Sequence, residues 1–230
     1  MRKSKNHYSV HNEPIKTDEQ FLADLFRAVD AYNLYAGKKL LFIYRTSLPG
    51  NIYSWYEVLF GKENFMHLTG IRALNFGAQR FYEKCLSRAI KSKEFTFTTS
   101  RKVASSKLDA LPKLLLFEHA TIYKMGDADL ITLYNKFDTG LGNQDGMIGF
   151  DHRNASEESA VPVTAIKAPI TDYVSKPYKV IAILMKDYDA NQYDTVISSP
   201  KRGIAITELP VSLQKAISPE ALQKICAEKI

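Results

Sequence analysis

The sequence predicts an α+β fold in which a largely antiparallel sheet packs against amino-terminal helices. Apolar residues recur at helical spacing mainly in the first half of the chain. Short β-rich runs, separated by Gly, Asp, Asn and Pro, fill most of the second half. Strands and helices do not alternate regularly, as they would in a parallel sheet, so the class is α+β.

Length and composition fit one globular domain with small extensions at both ends. The chain has 230 residues, of which 45% are hydrophobic and 24% charged, so it can bury a sizeable core. We expect a mobile basic arm at 1–16, a single domain at 17–200 and a carboxy-terminal extension with a short helix at 201–230. The simpler interpretation of the arm is an ordinary disordered terminus.

Charge and cysteine content restrict the partners and the compartment. A net charge of +6 favours a polyanionic partner, because Lys and Arg neutralise phosphates. The two cysteines, Cys85 and Cys226, are far apart, so we expect no disulfide framework and a reducing cytosol. No apolar run approaches membrane-spanning length, so we expect a cytoplasmic protein without a membrane partner.

Local signals place the first elements. Thr17 and Gln20 form a capping box that opens a helix, and Gly37 ends it. Two β-rich runs, Lys39 to Arg45 and Ile52 to Phe60, flank a Pro-Gly turn and should pair as an antiparallel hairpin.

A second helix is predicted from the apolar stripe between Phe81 and Ile90. Four cations recur on its other face at steps of three or four: Arg80, Lys84, Arg88 and Lys91. Only Glu83 and Glu94 lie nearby in sequence to offset them. A solvated helix face explains this ridge as well as phosphate binding does, but its single sign and its closeness to His67 favour phosphate binding.

The remaining elements are short. Glu94 to Thr99 alternates as a strand, and Arg101 to His119 is predicted as two helical pieces because Pro112 interrupts it. A last helix opens at Pro219. Five later segments are predicted to be extended: Leu130 to Phe137, Met147 to Phe150, Val161 to Ile166, Tyr178 to Met185 and Tyr193 to Ser198.

The sequence lacks the motifs that usually indicate several common enzyme chemistries. The chain has no P-loop, no His-Glu-x-x-His and no Gly-x-Ser-x-Gly, and transfer chemistry on a nucleotide cofactor lacks a Gly-rich cradle. The acidic pairs Asp127 with Asp129 and Asp187 with Asp189 are interpreted as turn residues. We therefore expect neither a metal site nor a cofactor.

The remaining set of His, Thr, Tyr and Lys on a basic protein suits RNA cleavage. Attack of a ribose 2′-hydroxyl on the adjacent phosphate needs a base, an acid and cations, and a histidine titrating near ~6.5 can serve as base or acid. His67 alone is a weak signal, since a lone histidine is more often packed and hydrogen-bonded.

A family resemblance adds to this signal. Asn64-Phe65-Met66-His67-Leu68-Thr69-Gly70-Ile71, after a hairpin and before a helix, resembles the signature of a phage-associated nuclease family. That family is the fourth phage subfamily of Barnase-EndoU-ColicinE5/D-RelE-like (BECR) domains. The resemblance spans roughly Leu40 to Ser198 and implies an α+β nuclease fold related to metal-independent ribonucleases and toxins.

The resemblance also implies site residues. His67 would be base or acid, and Thr69 would bond a phosphate oxygen or orient His67, with Gly70 turning the backbone toward the next helix. Lys136, Lys186 and Tyr193 would supply a cation or hydroxyl to the cleft. Further candidates for nucleic-acid binding are Arg72, Arg101 and Lys102, beside the four cations of the predicted ridge.

These observations support two hypotheses. The first is a metal-independent endoribonuclease of a phage or mobile element, a toxin or defence effector. Its partners would be RNA, with transfer RNA among the candidate targets, and an inhibitor or antitoxin protein. The second is a non-catalytic RNA-binding or protein-interaction module on the same fold.

Overall fold

The computed structural model describes most of the chain. The described residues are 16–48, 51–129, 137–152 and 159–226. Of the predicted basic arm only Lys16 falls within them, and it forms ion pairs with Asp24 at 2.5 Å and Asp109 at 2.6 Å. Lys136 and nearly all of the predicted strand from Leu130 to Phe137 lie outside the described residues.

The elements confirm the α+β class. The helices are α1 (Asp18–Asn33), α2 (Asn64–Thr69), α3 (Ala78–Leu86), α4 (Arg101–Leu114), α5 (Val211–Ala216) and α6 (Pro219–Ile225). The strands are β1 (Lys38–Leu48), β2 (Asn51–Phe60), β3 (Ile71–Ala73), β4 (Phe95–Phe97), β5 (Lys124–Asp127), β6 (Thr139–Gly142), β7 (Met147–Asp151), β8 (Val161–Ile166), β9 (Tyr178–Asp187) and β10 (Thr195–Ser198).

One antiparallel sheet dominates the molecule. Its strand order is β2-β1-β9-β5-β6-β7-β8, with β10 pairing with β9. The predicted hairpin of β1 and β2 is present, with Lys38 opposite Phe60. The sheet curls until Ala160, just before β8, forms a parallel bridge with Val58 of β2.

Alternation along β1 separates two packed faces. Leu40 and Phe42 lie inside the curl with Phe150, and α1 packs there through Leu25 and Val29. All five are buried, and each such side chain contributes about 1.5–3 kcal/mol by leaving water. The helix α1 is thereby fixed to the inner face.

The carboxy-terminal segment packs on the outer face. Leu41 and Ile43 of β1 contact a cluster that includes Leu213 of α5 and Ile225 of α6. Ser218 caps α6 by accepting a hydrogen bond from the backbone N–H of Ala221 at 3.2 Å. None of the helices in the described ranges is long and apolar enough to span a bilayer.

Two predicted helix boundaries are wrong. The helix beginning at Ala78 ends at Leu86 instead of continuing to Ile90, because Arg88 takes a left-handed φ of +59°. Arg101–Leu114 is one helix that contains Pro112, not two pieces divided there. Pro112 lies in the last turn, where its missing N–H removes only one backbone hydrogen bond.

Candidate functional site

The helix α2 presents His67 to solvent. Four residues of this six-residue helix are buried, namely Asn64, Phe65, Leu68 and Thr69, whereas His67 on its last turn is exposed. Phe65 and Leu68 belong to the inner core. The buried neighbours therefore hold the helix in place and leave the imidazole on the surface, as the proposed proton-transfer role requires.

Thr69 and Gly70 end this helix. The Thr69 hydroxyl donates to the Met66 carbonyl at 2.7 Å and accepts from the Ile71 N–H at 3.2 Å. Gly70 has a left-handed φ of +70°, so the chain turns there into β3, not directly into the next helix. Because the Thr69 hydroxyl is buried and bonded to backbone, its geometry suits positioning of the helix end and does not suit a direct phosphate contact.

Lys107 of α4 lies against this turn. A β-carbon added at Gly70 would lie 3.1 Å from Cδ of Lys107. The Lys107 ammonium donates to the Thr164 hydroxyl on β8 at 2.9 Å, and burial lowers the pKa of Lys107 to about 8. The sequence of α4 does not distinguish this lysine from the others on the helix, because its contact with Gly70 forms only when the chain folds.

The predicted basic ridge does not form as one helical stripe. Arg80 is exposed on α3, but Arg88 lies beyond the end of that helix. The Arg88 guanidinium bonds both carboxylate oxygens of Asp30, at 2.6 and 2.7 Å, and Lys84 pairs with Glu94 at 2.5 Å. Two of the four cations are therefore already neutralised, one of them by a residue of α1 that local sequence could not reveal.

The other predicted phosphate-binding residues differ in exposure. Arg101 pairs with Asp18 at 2.7 Å and is only partly exposed. Arg72, Lys91 and Lys102 have exposed side chains. Together with Arg80, these three are the predicted cations that remain best placed to meet a polyanion.

Lys186 and Tyr193 are brought together on the outer face. The Lys186 ammonium lies 4.8 Å from the centroid of the Tyr193 ring, and the Tyr193 hydroxyl donates to Glu57. Glu57 also accepts from the Ser159 hydroxyl and pairs with Lys39 at 3.2 Å. Burial acts to raise the pKa of Glu57, but these hydrogen bonds and the lysine charge outweigh it and lower that pKa. Tyr193 is 1% exposed, so it braces Glu57 without facing an open cleft.

A second polar cluster, which is largely exposed to solvent, was missed by sequence reasoning. Asp138 accepts from the Tyr56 hydroxyl at 2.9 Å, and its other oxygen lies 2.9 Å from Nδ1 of His152. Burial acts to raise the pKa of Asp138, but these hydrogen bonds outweigh it and lower that pKa. Thr139 pairs with Phe150 in the β6–β7 hairpin, so the register of that hairpin places Asp138 opposite Asp151, the residue next to His152.

The two histidines are carried by different elements. Tyr56 lies four residues before the end of β2 at Phe60, and α2, which carries His67, follows that end, whereas His152 follows β7 directly. Within the described ranges, no three His, Cys, Asp or Glu side chains form a group that could hold a metal ion.

Comparison with known families identifies the class of the protein. The family described as phage-Barnase-EndoU-ColicinE5/D-RelE like nuclease4 matches residues 24–201, which include the curled sheet and α2. The chain belongs to this family of phage-associated nucleases. No curated protein and no solved structure gives a significant match.

The extent of the match refines the resemblance seen in the sequence. It begins at Asp24, so most of α1 belongs to the family pattern, although the sequence resemblance reached back only to about Leu40. The match ends at Lys201, so α5 and α6 lie outside it.

Proposed function

We propose that this nuclease is a metal-independent endoribonuclease that cleaves RNA by attack of a ribose 2′-hydroxyl on the adjacent phosphate. His67 serves as the acid or base. The observation that carries the proposal is the exposure of His67 on a helix that is held by four buried residues. An accessible imidazole on a helix that buried neighbours hold in place suits proton transfer to or from a large substrate.

The reaction needs few other groups. A histidine titrating near ~6.5 can accept the 2′-hydroxyl proton or protonate the 5′-oxygen at neutral pH. Exposed cations would neutralise the phosphates of the bound strand, and Arg72, Arg80, Lys91 and Lys102 can supply that charge. RNA is therefore the proposed substrate, with transfer RNA among the candidate targets. An inhibitor or antitoxin protein is the proposed partner in a toxin or defence role.

Incubation of purified protein with total RNA in EDTA tests the proposal. Removal of one acid–base group typically costs about 10²–10⁴-fold in rate, so His67→Ala should reduce cleavage by at least about 100-fold. His119→Ala is the matched control, because His119 is also exposed but lies outside α2. Equal cleavage by wild type and His67→Ala, or cleavage only with added magnesium, would reject the mechanism.

His152→Ala separates the two histidine sites. The proposal predicts near wild-type cleavage by this variant, because it assigns proton transfer to His67 and not to His152. Loss of cleavage in His152→Ala with retention in His67→Ala would assign proton transfer to the imidazole held by Asp138.

A non-catalytic RNA-binding or protein-interaction module is the second candidate function. The burial of the Thr69 hydroxyl favours this alternative, since this polar residue of the signature hydrogen-bonds to the backbone and is not available to a substrate. This alternative predicts salt-sensitive RNA binding that survives His67→Ala and yields no cleaved product.

A further inference from the structure

We infer that Lys107 binds a phosphodiester anion of the substrate beside His67. This inference rests on the proposed function and deepens it by adding a phosphate contact outside the family signature. Lys107 is carried by α4, whereas His67 is carried by α2.

Packing places the lysine at the correct end of α2. Its Cδ lies against Gly70, where a β-carbon would be only 3.1 Å away. Gly70 follows His67 by three residues, close to one helical turn, so the lysine stem and the imidazole lie at the same end of the helix. Gly70 thus serves two purposes, since it permits the left-handed turn and leaves room for the lysine.

The charge of Lys107 lacks a counter-ion among the described residues. Other partly buried cations have carboxylates close by, as Lys16, Lys84 and Arg101 each show at 2.5–2.7 Å. Within the described ranges Lys107 instead has a single hydrogen-bond partner, the Thr164 hydroxyl, and burial alone accounts for its lowered pKa of about 8. Burial of an unpaired cation opposes folding, and an apolar side chain would pack there without that cost.

An anion from outside the protein would complete this site. An ammonium carries three N–H donors, and Thr164 accepts one of them at 2.9 Å. The residue remains partly exposed, and no carboxylate among the described residues acts to raise its pKa, so an approaching phosphate would not compete with a carboxylate of that part of the chain. In a nuclease, that anion is the phosphodiester of the substrate strand.

Binding measurements with an RNA that cannot be cleaved test the inference without relying on catalysis. A 2′-O-methyl oligonucleotide lacks the attacking hydroxyl but retains every phosphate, and its affinity can be measured by fluorescence anisotropy. Lys107→Met should lower the affinity by about 10- to 100-fold, as expected for loss of a charge-assisted hydrogen bond. Lys113→Met is the matched control, because Lys113 is exposed on the same helix, and it should change the affinity much less.

The wild-type protein offers a second readout that needs no variant. Lys107 is charged below its pKa of about 8, so affinity should fall as the pH rises from about 7 to about 9. Lys107→Arg keeps its charge throughout and should bind with little change over that range. Equal affinities for Lys107→Met and Lys113→Met, or a flat wild-type profile, would overturn the inference.

The two proposals fail in different ways. Lys107-dependent binding of the methylated RNA without cleavage of ordinary RNA would reject the proposed function and support the phosphate site. Cleavage that depends on His67, with binding indifferent to Lys107, would reject the phosphate site alone. A Lys107→Met variant that is more stable but binds normally would show that Lys107 is a packing residue only.

Discussion

Replacement of Gly70 by alanine tests the link between the signature turn and Lys107. Gly70 has a φ of +70°, a region that costs an L-residue about 1–2 kcal/mol. Its new β-carbon would also lie 3.1 Å from Cδ of Lys107, and such overpacking costs about 1 kcal/mol more. Gly70→Ala should therefore lower the free energy of unfolding by about 2–3 kcal/mol.

Gly37 is a matched control for this strain. Its φ is +76°, but a β-carbon there would have no neighbour within 4 Å. Gly37→Ala and Gly70→Ala share the backbone strain and the change in the unfolded chain, so the difference in their urea unfolding free energies isolates the Lys107 contact.

A double variant completes the cycle. Gly70→Ala combined with Lys107→Ala should show a favourable coupling of about 1 kcal/mol relative to the sum of the single variants. The same lysine should move away in Gly70→Ala, so this variant should also lose affinity for the methylated RNA. A Gly70→Ala cost no larger than that of Gly37→Ala, or the absence of coupling to Lys107, would refute the packing argument.

Three further outcomes are expected. Thr69→Val should lower the free energy of unfolding by about 1–3 kcal/mol in urea titrations, because it leaves backbone groups at the end of α2 unsatisfied, and a stability equal to that of wild type would contradict the cap. Arg80→Ala should weaken RNA binding more than Arg88→Ala does, because Arg88 is paired with Asp30. Equal losses of affinity in anisotropy titrations would show instead that both arginines contact RNA, as the predicted ridge requires. The lowered pKa of Glu57 means that its carboxylate stabilises the fold above the unfolded pKa of about 4.3 and ceases to do so as the pH falls through the folded pKa. Glu57→Gln should therefore be less sensitive to acid than wild type in urea titrations at several pH values, and parallel acid profiles would contradict this.

Local sequence signals were sufficient where the structure is itself local. The Thr17 and Gln20 box caps α1 as predicted, with the Thr17 hydroxyl 3.3 Å from the Gln20 N–H. The hairpin of β1 and β2 follows from two β-rich runs around one turn. The α+β class and the family are confirmed. Both could be predicted because the strand pattern and the His-Leu-Thr-Gly motif are formed by residues that are contiguous in sequence.

Tertiary pairings explain most of what the sequence could not reveal. Asp30 reaches Arg88 across 58 positions, which removed one cation from the predicted ridge. Lys107 meets Gly70 only because α4 packs beside α2. The pairing of Asp138 with His152 depends on a hairpin whose register becomes visible only once its strands are placed.

For two predicted site residues near the late strands, the sequence revealed the residues themselves but not their surroundings. Lys186 and Tyr193 were assigned by resemblance, and they do lie together, 4.8 Å apart. Glu57, the hydrogen-bond partner of Tyr193, comes from β2, and the carboxy-terminal segment packs around Tyr193 on the outer face. Their proximity is consistent with a shared role, whereas a catalytic role for either remains a prediction.

The chemical identity of the cut RNA ends tests the central claim most directly. Attack by the 2′-hydroxyl leaves a 2′,3′-cyclic phosphate on one fragment and a 5′-hydroxyl on the other, which mass spectrometry of a short RNA cleaved in EDTA can distinguish. We predict these ends for the wild-type protein and no cleavage above background for His67→Ala. Fragments with 5′-phosphate ends, or the same cyclic phosphate products from His67→Ala, would contradict the assignment.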